Sequence, residues 1–313
     1  MSLFWILIGL IGLWAGSEYA LRGTLKIAER RQISQGFLGV TVLAIGTDLP
    51  ELLVAITGSL HQLRGEQASG VIFGNAVGSA LTQGSLVLGA AGLFGHLHMS
   101  RRTLKRDGVV LIFAIALLAL LAFGGVLTRF EGGALLLVYA IYVWTLRTQE
   151  RRRARSDVAP WSTLWGPLVA VVVGLAVVLG CSELIVDHAL VLARERGWDQ
   201  TVLGLFLLGA GTSLPELALS LGAVIKGRAS LAIGNVIGSN VFDLLVPVGL
   251  SAVLHPLTVS PVSVSVDLPV LALLSLLALA FFARVRGIQR TEAWVLICAY
   301  ASFAFARIWF SGG

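Results

Sequence analysis

Long apolar runs recur along the whole chain and restrict what it can fold into. Ten of them approach the roughly 20 residues that a helix needs to cross a lipid bilayer. They span residues 3–21, 36–60, 68–95, 107–124, 130–146, 164–192, 200–225, 229–254, 264–283 and 291–310. The runs do not alternate between polar and apolar residues, as the strands of a membrane barrel would. Because a helix satisfies its own backbone hydrogen bonds in lipid, we predict an all-α membrane protein with ten transmembrane helices.

Charged residues are sparse, and the basic ones are unevenly placed. Only 13% of the 313 residues are charged, against about 25% in a soluble domain. Of the 23 Lys and Arg residues, 18 lie in the connections after runs 1, 3, 5, 7 and 9. Basic residues favour the cytoplasmic side, so we predict both termini outside the cytoplasm, in the inner or plasma membrane of a cell. Membrane orientation then explains the net charge of +6 better than nucleic-acid binding does.

A short polar stretch occurs twice in this apolar sequence. The first copy runs from Ala44 to Glu51 and the second from Gly209 to Glu216, and their Thr, Pro and Glu residues match at an offset of 165. Each copy is followed by a Gly-Asn-x-x-Gly-Ser stretch, at 74–79 and at 234–239, which match at an offset of 160. The chain therefore contains an internal repeat.

An Arg-rich connection at 147–163 separates two halves of five runs each, residues 1–146 and 164–313. Because each half has an odd number of spans, the second half enters the membrane from the opposite side. We therefore predict two inverted five-helix repeats joined by a cytoplasmic linker. Many secondary transporters have such repeats, with the substrate site near the bilayer midplane where the repeats meet.

Four of the runs carry polar residues at helical spacing, so that each run would present one polar stripe. The stripes are Ala44, Thr47, Asp48 and Glu51 in run 2, Asn75, Ser79 and Gln83 in run 3, Gly209, Thr212, Ser213 and Glu216 in run 7, and Asn235, Ser239 and Asp243 in run 8. They offer carboxylate, hydroxyl, amide and carbonyl oxygens without His, Cys or Lys. An oxygen-only donor set suits hard cations such as calcium or sodium.

Pro50 and Pro215 interrupt runs 2 and 7 beside the acids. Proline lacks an N–H group, so the carbonyls of Gly46 and Gly211 lose their helical donors. A carbonyl freed in this way is tolerated at membrane depth where it lines a cavity, and there it can bind a cation. We therefore predict helix breaks at both proline motifs, beside a central cation site.

Isolated polar residues in membrane helices have simpler explanations. A lone Ser or Thr commonly bonds its own backbone, and Asn75 and Asn235 serve equally well to hold helices together. Glu18 and Glu183 lie nearer the ends of their runs, and we interpret them as structural or entrance residues. The histidines near loop ends, which we expect to be solvated, are His61, His96, His98 and His255.

The doubled motif resembles that of the cation/calcium antiporters, and within them the sodium/calcium exchangers. Their signature is Gly-Thr-Ser-x-Pro-Glu followed by Gly-Asn-x-x-Gly-Ser-x-x-x-Asn/Asp in each half, and residues 211–216 and 234–243 match it closely. The resemblance covers the whole chain and implies inverted five-helix repeats in which calcium and sodium compete for one central site. The ligands that it implies are the carbonyls of Ala44 and Gly209 with the side chains of Thr47, Glu51, Ser79, Thr212, Ser213, Glu216, Ser239 and Asp243.

The first copy departs from that signature at two positions, and we add both residues to the candidate ligands. Asp48 stands where the family has Ser, and Gln83 stands where it has Asn or Asp. Asp48 is either a further cation-binding oxygen donor or a proton carrier, because burial and like charges favour the protonated form of a carboxyl group. Calcium/proton exchangers of the wider family have an acid where Ser79 and Ser239 stand, so they are less similar.

These observations predict a secondary antiporter, not an enzyme, that exchanges calcium for sodium by alternating access. The alternative is calcium/proton or sodium/proton exchange. Its partners would be the transported ions and the lipid bilayer, with no cofactor, and the sequence leaves its oligomeric state open. A channel would need a continuous pore, usually shared among subunits, and an intramembrane protease built on Asp48 and Asp243 would leave the Thr-Pro-Glu repeats unexplained.

Overall fold

The computed structural model describes residues 2–30, 47–150, 165–284 and 287–311, and nearly all of them are helical. The helices are α1 (Ser2–Arg30), α2 (Leu49–Leu63), α3 (Ser69–Phe94), α4 (101–122), α5 (Arg129–Glu150), α6 (Trp165–Arg196), α7 (Gln200–Thr212), α8 (Leu214–Ile225), α9 (Ala229–Leu254), α10 (Ser263–Ala283) and α11 (Arg290–Ser311). Two short strands, β1 (Val126–Leu127) and β2 (Leu257–Thr258), pair antiparallel. The described chain is therefore mostly helical, in agreement with the predicted helical class.

Six helices of the described residues are long and apolar enough to cross a membrane, and the broken pair α7 and α8 adds a seventh. The six are α1, α3, α6, α9, α10 and α11. Large apolar side chains such as Phe130 (94% exposed) and Phe310 (82% exposed) point outward, an arrangement suited to lipid rather than to water. The chain is a mostly helical membrane protein.

The remaining predicted runs also correspond to helices. Runs 4 and 5 lie in α4 and α5, and run 2 ends in α2, but its residues before Thr47 lie outside the described part of the chain. Several helices are longer than predicted; α1 continues to Arg30, for example, and α6 to Arg196. Their additional residues are largely polar, so the helices extend beyond the apolar stretches that hydropathy detects.

α3 and α9 lie at the centre of the molecule. In the most apolar 18-residue stretch of each helix, 94% of α3 and 83% of α9 is buried. Glycines let the neighbouring helices approach them closely. A Cβ atom on Gly209 of α7 would lie 2.6 Å from the backbone carbon of Gly78 in α3, and one on Gly78 would clash with Leu205. Gly78, the second glycine of the Gly-Asn-x-x-Gly-Ser motif, is thus required for the contact between α3 and α7.

α1 and α6, which carry the first run of each half, pack side by side. The contact again depends on small residues, as is usual between membrane helices. A Cβ atom on Gly16 would lie 2.8 Å from Val178, and one on Gly174 would lie 2.6 Å from the carbonyl oxygen of Gly16. A buried hydrogen bond of 2.8 Å between Thr57 and Ser182 joins α2 to α6.

Four helices of the described region contain π-helical segments, whose wider turns shift the helical register. The segments are Thr82–Val87 in α3, Leu104–Gly108 in α4, Leu203–Leu208 in α7 and Ser263–Asp267 in α10. The regular four-residue spacing predicted for the stripe in run 3 therefore stops at Ser79, because Gln83 lies in a π-helical segment. Hydrophobic periodicity in the sequence does not reveal these wider turns.

Two backbone pairings join connections that are distant in sequence. In the β1–β2 pairing Leu127 faces Leu257, and an isolated antiparallel bridge joins Leu97 to Ile288. Leu97 and Leu257 are 160 positions apart, and Leu127 and Ile288 are 161 apart. The two pairings therefore correspond to each other: Leu97 pairs with Ile288, and the counterpart of Leu97 in the second half, Leu257, pairs with the counterpart of Ile288 in the first half, Leu127.

Candidate functional site

The second proline motif breaks a helix. α7 ends at Thr212, α8 begins at Leu214, and the two are bent by 41°. Ser213 lies between them with φ −81° and ψ 7°. Since Pro215 has no N–H group, the carbonyl of Gly211 lacks its i+4 donor and accepts instead from the backbone N–H of Ser213. The predicted break in run 7 is present at the predicted place.

The first proline motif has the same local geometry. Asp48, with φ −81° and ψ 6°, directly precedes α2, and Pro50 occupies its first turn. The backbone angles thus match those of Ser213 within a degree. Two residues of the predicted motif lie outside the described part of the chain: Ala44, whose carbonyl is a predicted ligand, and Gly46, whose carbonyl is predicted to lose its helical donor.

The acids of the two motifs converge in the interior. Asp48, Glu51, Glu216 and Asp243 are each 0% exposed. Asp48 is close enough to Asp243 and Glu51 to interact with them electrostatically, and Glu216 is close to both Glu51 and Asp48. We call these four residues the acid cluster.

Hydroxyl groups from both halves surround the acid cluster. Ser79 Oγ donates a hydrogen bond of 2.6 Å to Glu51 Oε1 and lies 2.7 Å from Ser213 Oγ. Ser213 Oγ donates in turn to the carbonyl oxygen of Gly209, at 2.7 Å. This chain of contacts places residues of α2, α3 and α7 and the α7–α8 break at one point, as the stripes predict.

The remaining predicted residues are buried in the same region. The single hydroxyl hydrogen of Thr212 has two acceptors within reach, the carbonyl oxygen of Leu208 (3.0 Å) and Asn75 Oδ1 (3.3 Å), and the contact with Asn75 joins α3 to α7. Gln83 Nε2 donates to Asp243 Oδ2 at 3.1 Å. Thr47, Ser239 and Asn235 are at most 1% exposed.

Several oxygens of this region have no hydrogen-bond partner although they are buried. They are both oxygens of Asp48 and of Glu216, Glu51 Oε2, Asp243 Oδ1, Gln83 Oε1 and Ser239 Oγ. Nearly all buried polar atoms in proteins are hydrogen-bonded, and burying an ionised group costs several kcal/mol. Cations would supply the missing partners, and an oxygen-only set of donors suits calcium and sodium.

Two further buried acids were missed by the sequence analysis. Asp267 is 0% exposed and accepts a hydrogen bond of 2.9 Å from Arg307 Nε. Asp107 is 3% exposed and accepts from Tyr142 at 3.3 Å and from Arg106 at 2.6 Å. The acids are 160 positions apart and the partners Tyr142 and Arg307 are 165 apart, the same offsets as in the motifs. That repeat signal could have revealed them as anchors of α4 to α5 and of α10 to α11.

The expectation that the loop-end histidines are solvated is wrong for His61. Its side chain is 2% exposed, because the end of α2 packs against α6. His96 and His98 are exposed as expected, and His255 is half-buried.

Comparison with known proteins gives concordant matches over nearly the whole chain. A model of the sodium/calcium exchanger protein family matches residues 1–147 and 166–309. The antiporter CaxA of Alkalimonas amylolytica is 31% identical over 318 residues, which cover 97% of this chain and 98% of CaxA. The sodium/calcium exchanger MaX1 of Methanosarcina acetivorans is 31% identical over 340 residues, which cover 95% and 96% of the two chains.

The fold matches a solved structure as well. The sodium-calcium exchanger NCX_Mj, in a crystal soaked with Na⁺ and Sr²⁺, superposes with a TM-score of 0.69 at 30% sequence identity. The match covers 97% of each chain.

Proposed function

The chain belongs to the sodium/calcium exchanger family, and on that premise we propose that it exchanges calcium for sodium across the membrane at the acid cluster. The observation that carries this proposal is the set of buried carboxylate oxygens without hydrogen-bond partners. Both halves contribute to it, Asp48 and Glu51 from the first and Glu216 and Asp243 from the second. Burying these carboxylates without partners costs free energy, and bound cations offset that cost.

The proposed ligands divide into three kinds. The charged ligands are Asp48, Glu51, Glu216 and Asp243. The neutral side-chain ligands are Thr47, Ser79, Gln83, Thr212, Ser213 and Ser239. The backbone ligands are the carbonyls of Ala44 and Gly209.

The hydrogen bonds of the site indicate how it accepts an ion. Glu51 is held through Oε1 by Ser79, while Oε2 has no partner and is available to a cation. A hydroxyl group has lone pairs as well as one hydrogen, so Ser79 and Ser213 are able to bind an ion while they donate to Glu51 and Gly209. Ion binding therefore requires no rearrangement of these side chains beyond small rotations.

Charge balance couples the two ions. Without cations, the carboxylates disfavour any state in which the site is closed to water on both sides, because desolvating the acids is expensive. Calcium, or sodium ions in its place, offset that charge and make the closed state accessible. Movement that occurs only when the site is loaded gives exchange rather than leak.

Sodium is the coupling ion that we propose, because MaX1 and NCX_Mj are named for exchange of sodium and calcium. One observation favours proton coupling as the second candidate. Both oxygens of Asp48 lack hydrogen-bond partners beside three other acids, and a proton would relieve the repulsion among them.

We propose that the architecture is ten transmembrane helices in two inverted repeats, 1–146 and 164–313, joined by a linker at 147–163. The exchanged pairings Leu127–Leu257 and Leu97–Ile288 support it, since a pseudo-two-fold axis would convert each into the other. The repeat-related anchors at Asp107 and Asp267 support it as well.

The orientation that we propose places both termini outside the cytoplasm of a cell membrane. Cysteines introduced at Ser2 and Ser156, in a background lacking Cys181 and Cys298, should then react with impermeant reagents from opposite sides. Reaction from the same side would contradict the inverted repeats.

The function is tested by calcium uptake into vesicles that contain the purified protein. We expect an outward sodium gradient to drive uptake and Glu216→Gln to abolish it, while a potassium gradient drives none. Uptake driven by a pH gradient but not by sodium would replace sodium by protons as the coupling ion. Uptake with neither gradient would indicate a channel.

A further inference from the structure

A second group of ionisable side chains lies away from the acid cluster, where the end of α2 meets α6. His61 is buried, and neither of its ring nitrogens has a hydrogen-bond partner. Its Nε2 atom lies 3.6 Å from Glu183 Oε1 and 3.4 Å from Asp187 Oδ1. Its Nδ1 atom lies 3.5 Å from Glu66 Oε2. We call these four residues the histidine cluster.

The contacts in the histidine cluster are not hydrogen bonds, and their distances fit those between ligands of a metal ion. Nitrogen and oxygen ligands bind zinc at about 2.0–2.2 Å in a tetrahedron, which separates neighbouring ligand atoms by about 3.3–3.6 Å. The separations between His61 and the two acids of α6 fall in this range, and the three ligand atoms all lie within 4.8 Å of one another. Glu183 and Asp187 share one helix face because they are four residues apart.

The other side of the imidazole has the environment of a metal-bound histidine. Such a ligand usually directs its second nitrogen to a carboxylate, which fixes the ring orientation. Glu66 occupies that position, and Arg194 Nη2 holds it at 3.1 Å. The ring directs Nε2 toward Glu183 and Asp187 and Nδ1 toward Glu66.

Charge and access also fit a divalent cation. The cluster has three carboxylates, and Arg64 and Arg194 contact two of them, so one negative charge remains when His61 is neutral. Arg64 Nη1 lies 3.1 Å from the Glu183 oxygen that faces His61, but its side chain is 60% exposed and can turn into solvent. Glu183 and Asp187 are 40% and 54% exposed, so an ion can reach them from water.

We propose that His61, Glu183 and Asp187 form a binding site for a divalent transition-metal ion, with zinc as the best fit. The imidazole nitrogen favours zinc over calcium, which prefers oxygen ligands alone. The site is thus chemically distinct from the acid cluster.

The metal would also restrain the transporter, a consequence that rests on the proposed function. His61 belongs to the first half of the chain, and Glu183 and Asp187 belong to the second. Alternating access requires one part to move against another, and a metal bound by both halves opposes that movement. Zinc therefore inhibits exchange without competing for the calcium ligands.

The binding test uses untagged, chelator-treated protein in detergent and zinc titrated by calorimetry in the presence of calcium. We expect one zinc ion per chain and at least a tenfold loss of zinc affinity in His61→Gln, since even outer-shell changes cost 10–100-fold. His98→Gln, at an exposed histidine of the connection between α3 and α4, is the matched control and should bind zinc as the natural protein does. Unchanged zinc affinity in His61→Gln, or loss only in His98→Gln, would refute the site.

The inhibition test measures sodium-driven calcium uptake with and without zinc in vesicles. Zinc should inhibit the natural protein and leave His61→Gln uninhibited, with the calcium dependence of uptake equal in the two. Zinc binding without inhibition would retain the site and refute the restraint. Absence of calcium uptake in every variant would count against the proposed function alone, because the zinc titration is read independently.

Discussion

The two halves of the chain contribute equal charge to the acid cluster, but they place their acids differently. In the first half both acids, Asp48 and Glu51, lie at the start of α2. In the second half Glu216 lies in α8, Asp243 lies in α9, and Ser213 occupies the position of Asp48. The comparison teaches that each half has two acids in the cluster although the second acid differs in position: it adjoins Glu51 in the first half and lies on the next helix, α9, in the second.

The contact between Gln83 and Asp243 explains why the second acid of each half lies at a different position. The two residues are repeat-related, 160 positions apart, and they contact each other through a hydrogen bond of 3.1 Å. An amide donates to a carboxylate, whereas two carboxylates at this distance would repel each other. The neutral Gln83 thus stabilises Asp243, while Asp48 supplies the second acid of the first half.

The largest effect on calcium affinity is expected at Glu51 and Glu216, where the two motif copies have the same residue. Glu51→Gln or Glu216→Gln removes one charge and one strong oxygen ligand from the acid cluster. Removing one partner of a buried charge pair costs about 3–5 kcal/mol, so we expect calcium affinity to fall by about 100-fold or more. The measurement is calcium binding to the purified variants, with Glu195→Gln, at an exposed acid of α6, as the matched control.

Equal losses in both Gln variants would show that the repeats contribute alike. If only one variant loses affinity, the site belongs to one half, and if neither does, the acid cluster is not the calcium site.

A smaller effect on calcium affinity is expected at Asp48, where the two motif copies differ. Asp48→Ser gives the first copy the residue of the second, and it removes one charged donor that has no hydrogen-bond partner. Interactions of charged groups contribute about 1.5–3 kcal/mol, so calcium affinity should fall by about tenfold or somewhat more. Sodium-driven exchange should persist, and any calcium uptake driven by a pH gradient should be lost.

Uptake driven equally by a pH gradient in Asp48→Ser and in the natural protein would exclude Asp48 as a proton carrier. Complete loss of sodium-driven exchange would instead make Asp48 as essential as Glu51.

Part of this comparison could be made from the sequence, because repeats and apolar runs are visible in it. The offsets of 165 and 160 located both motifs, and proline chemistry placed the helix break at Pro215. The hydrogen bond between Gln83 and Asp243 could not be predicted, because it depends on a π-helical segment. The burial of His61 was also missed, since hydropathy does not show which helix covers a loop end.

The smallest effect on exchange is expected at the repeat-related anchors. Asp267 and its partner Arg307 are 0% and 7% exposed, so Asp267→Asn leaves a buried guanidinium without its charge partner, at a cost of about 3–5 kcal/mol. Asp107→Asn should destabilise less, because Arg106 is 32% exposed and can reach water. Thermal unfolding of the purified variants measures the difference, and the sodium dependence of uptake should stay as in the natural protein.

A greater loss of stability in Asp107→Asn would reverse the assignment of the stronger anchor. A changed sodium dependence in either variant would connect the anchors to ion binding.

The central claim is that one buried site, built from both halves, holds either calcium or sodium. It is tested most directly by calcium binding to the purified protein at a series of sodium concentrations, with potassium in place of sodium as the control. The account predicts that the apparent dissociation constant for calcium rises with sodium, more steeply than in proportion because more than one sodium ion replaces one calcium ion. A calcium affinity that is independent of sodium would contradict it.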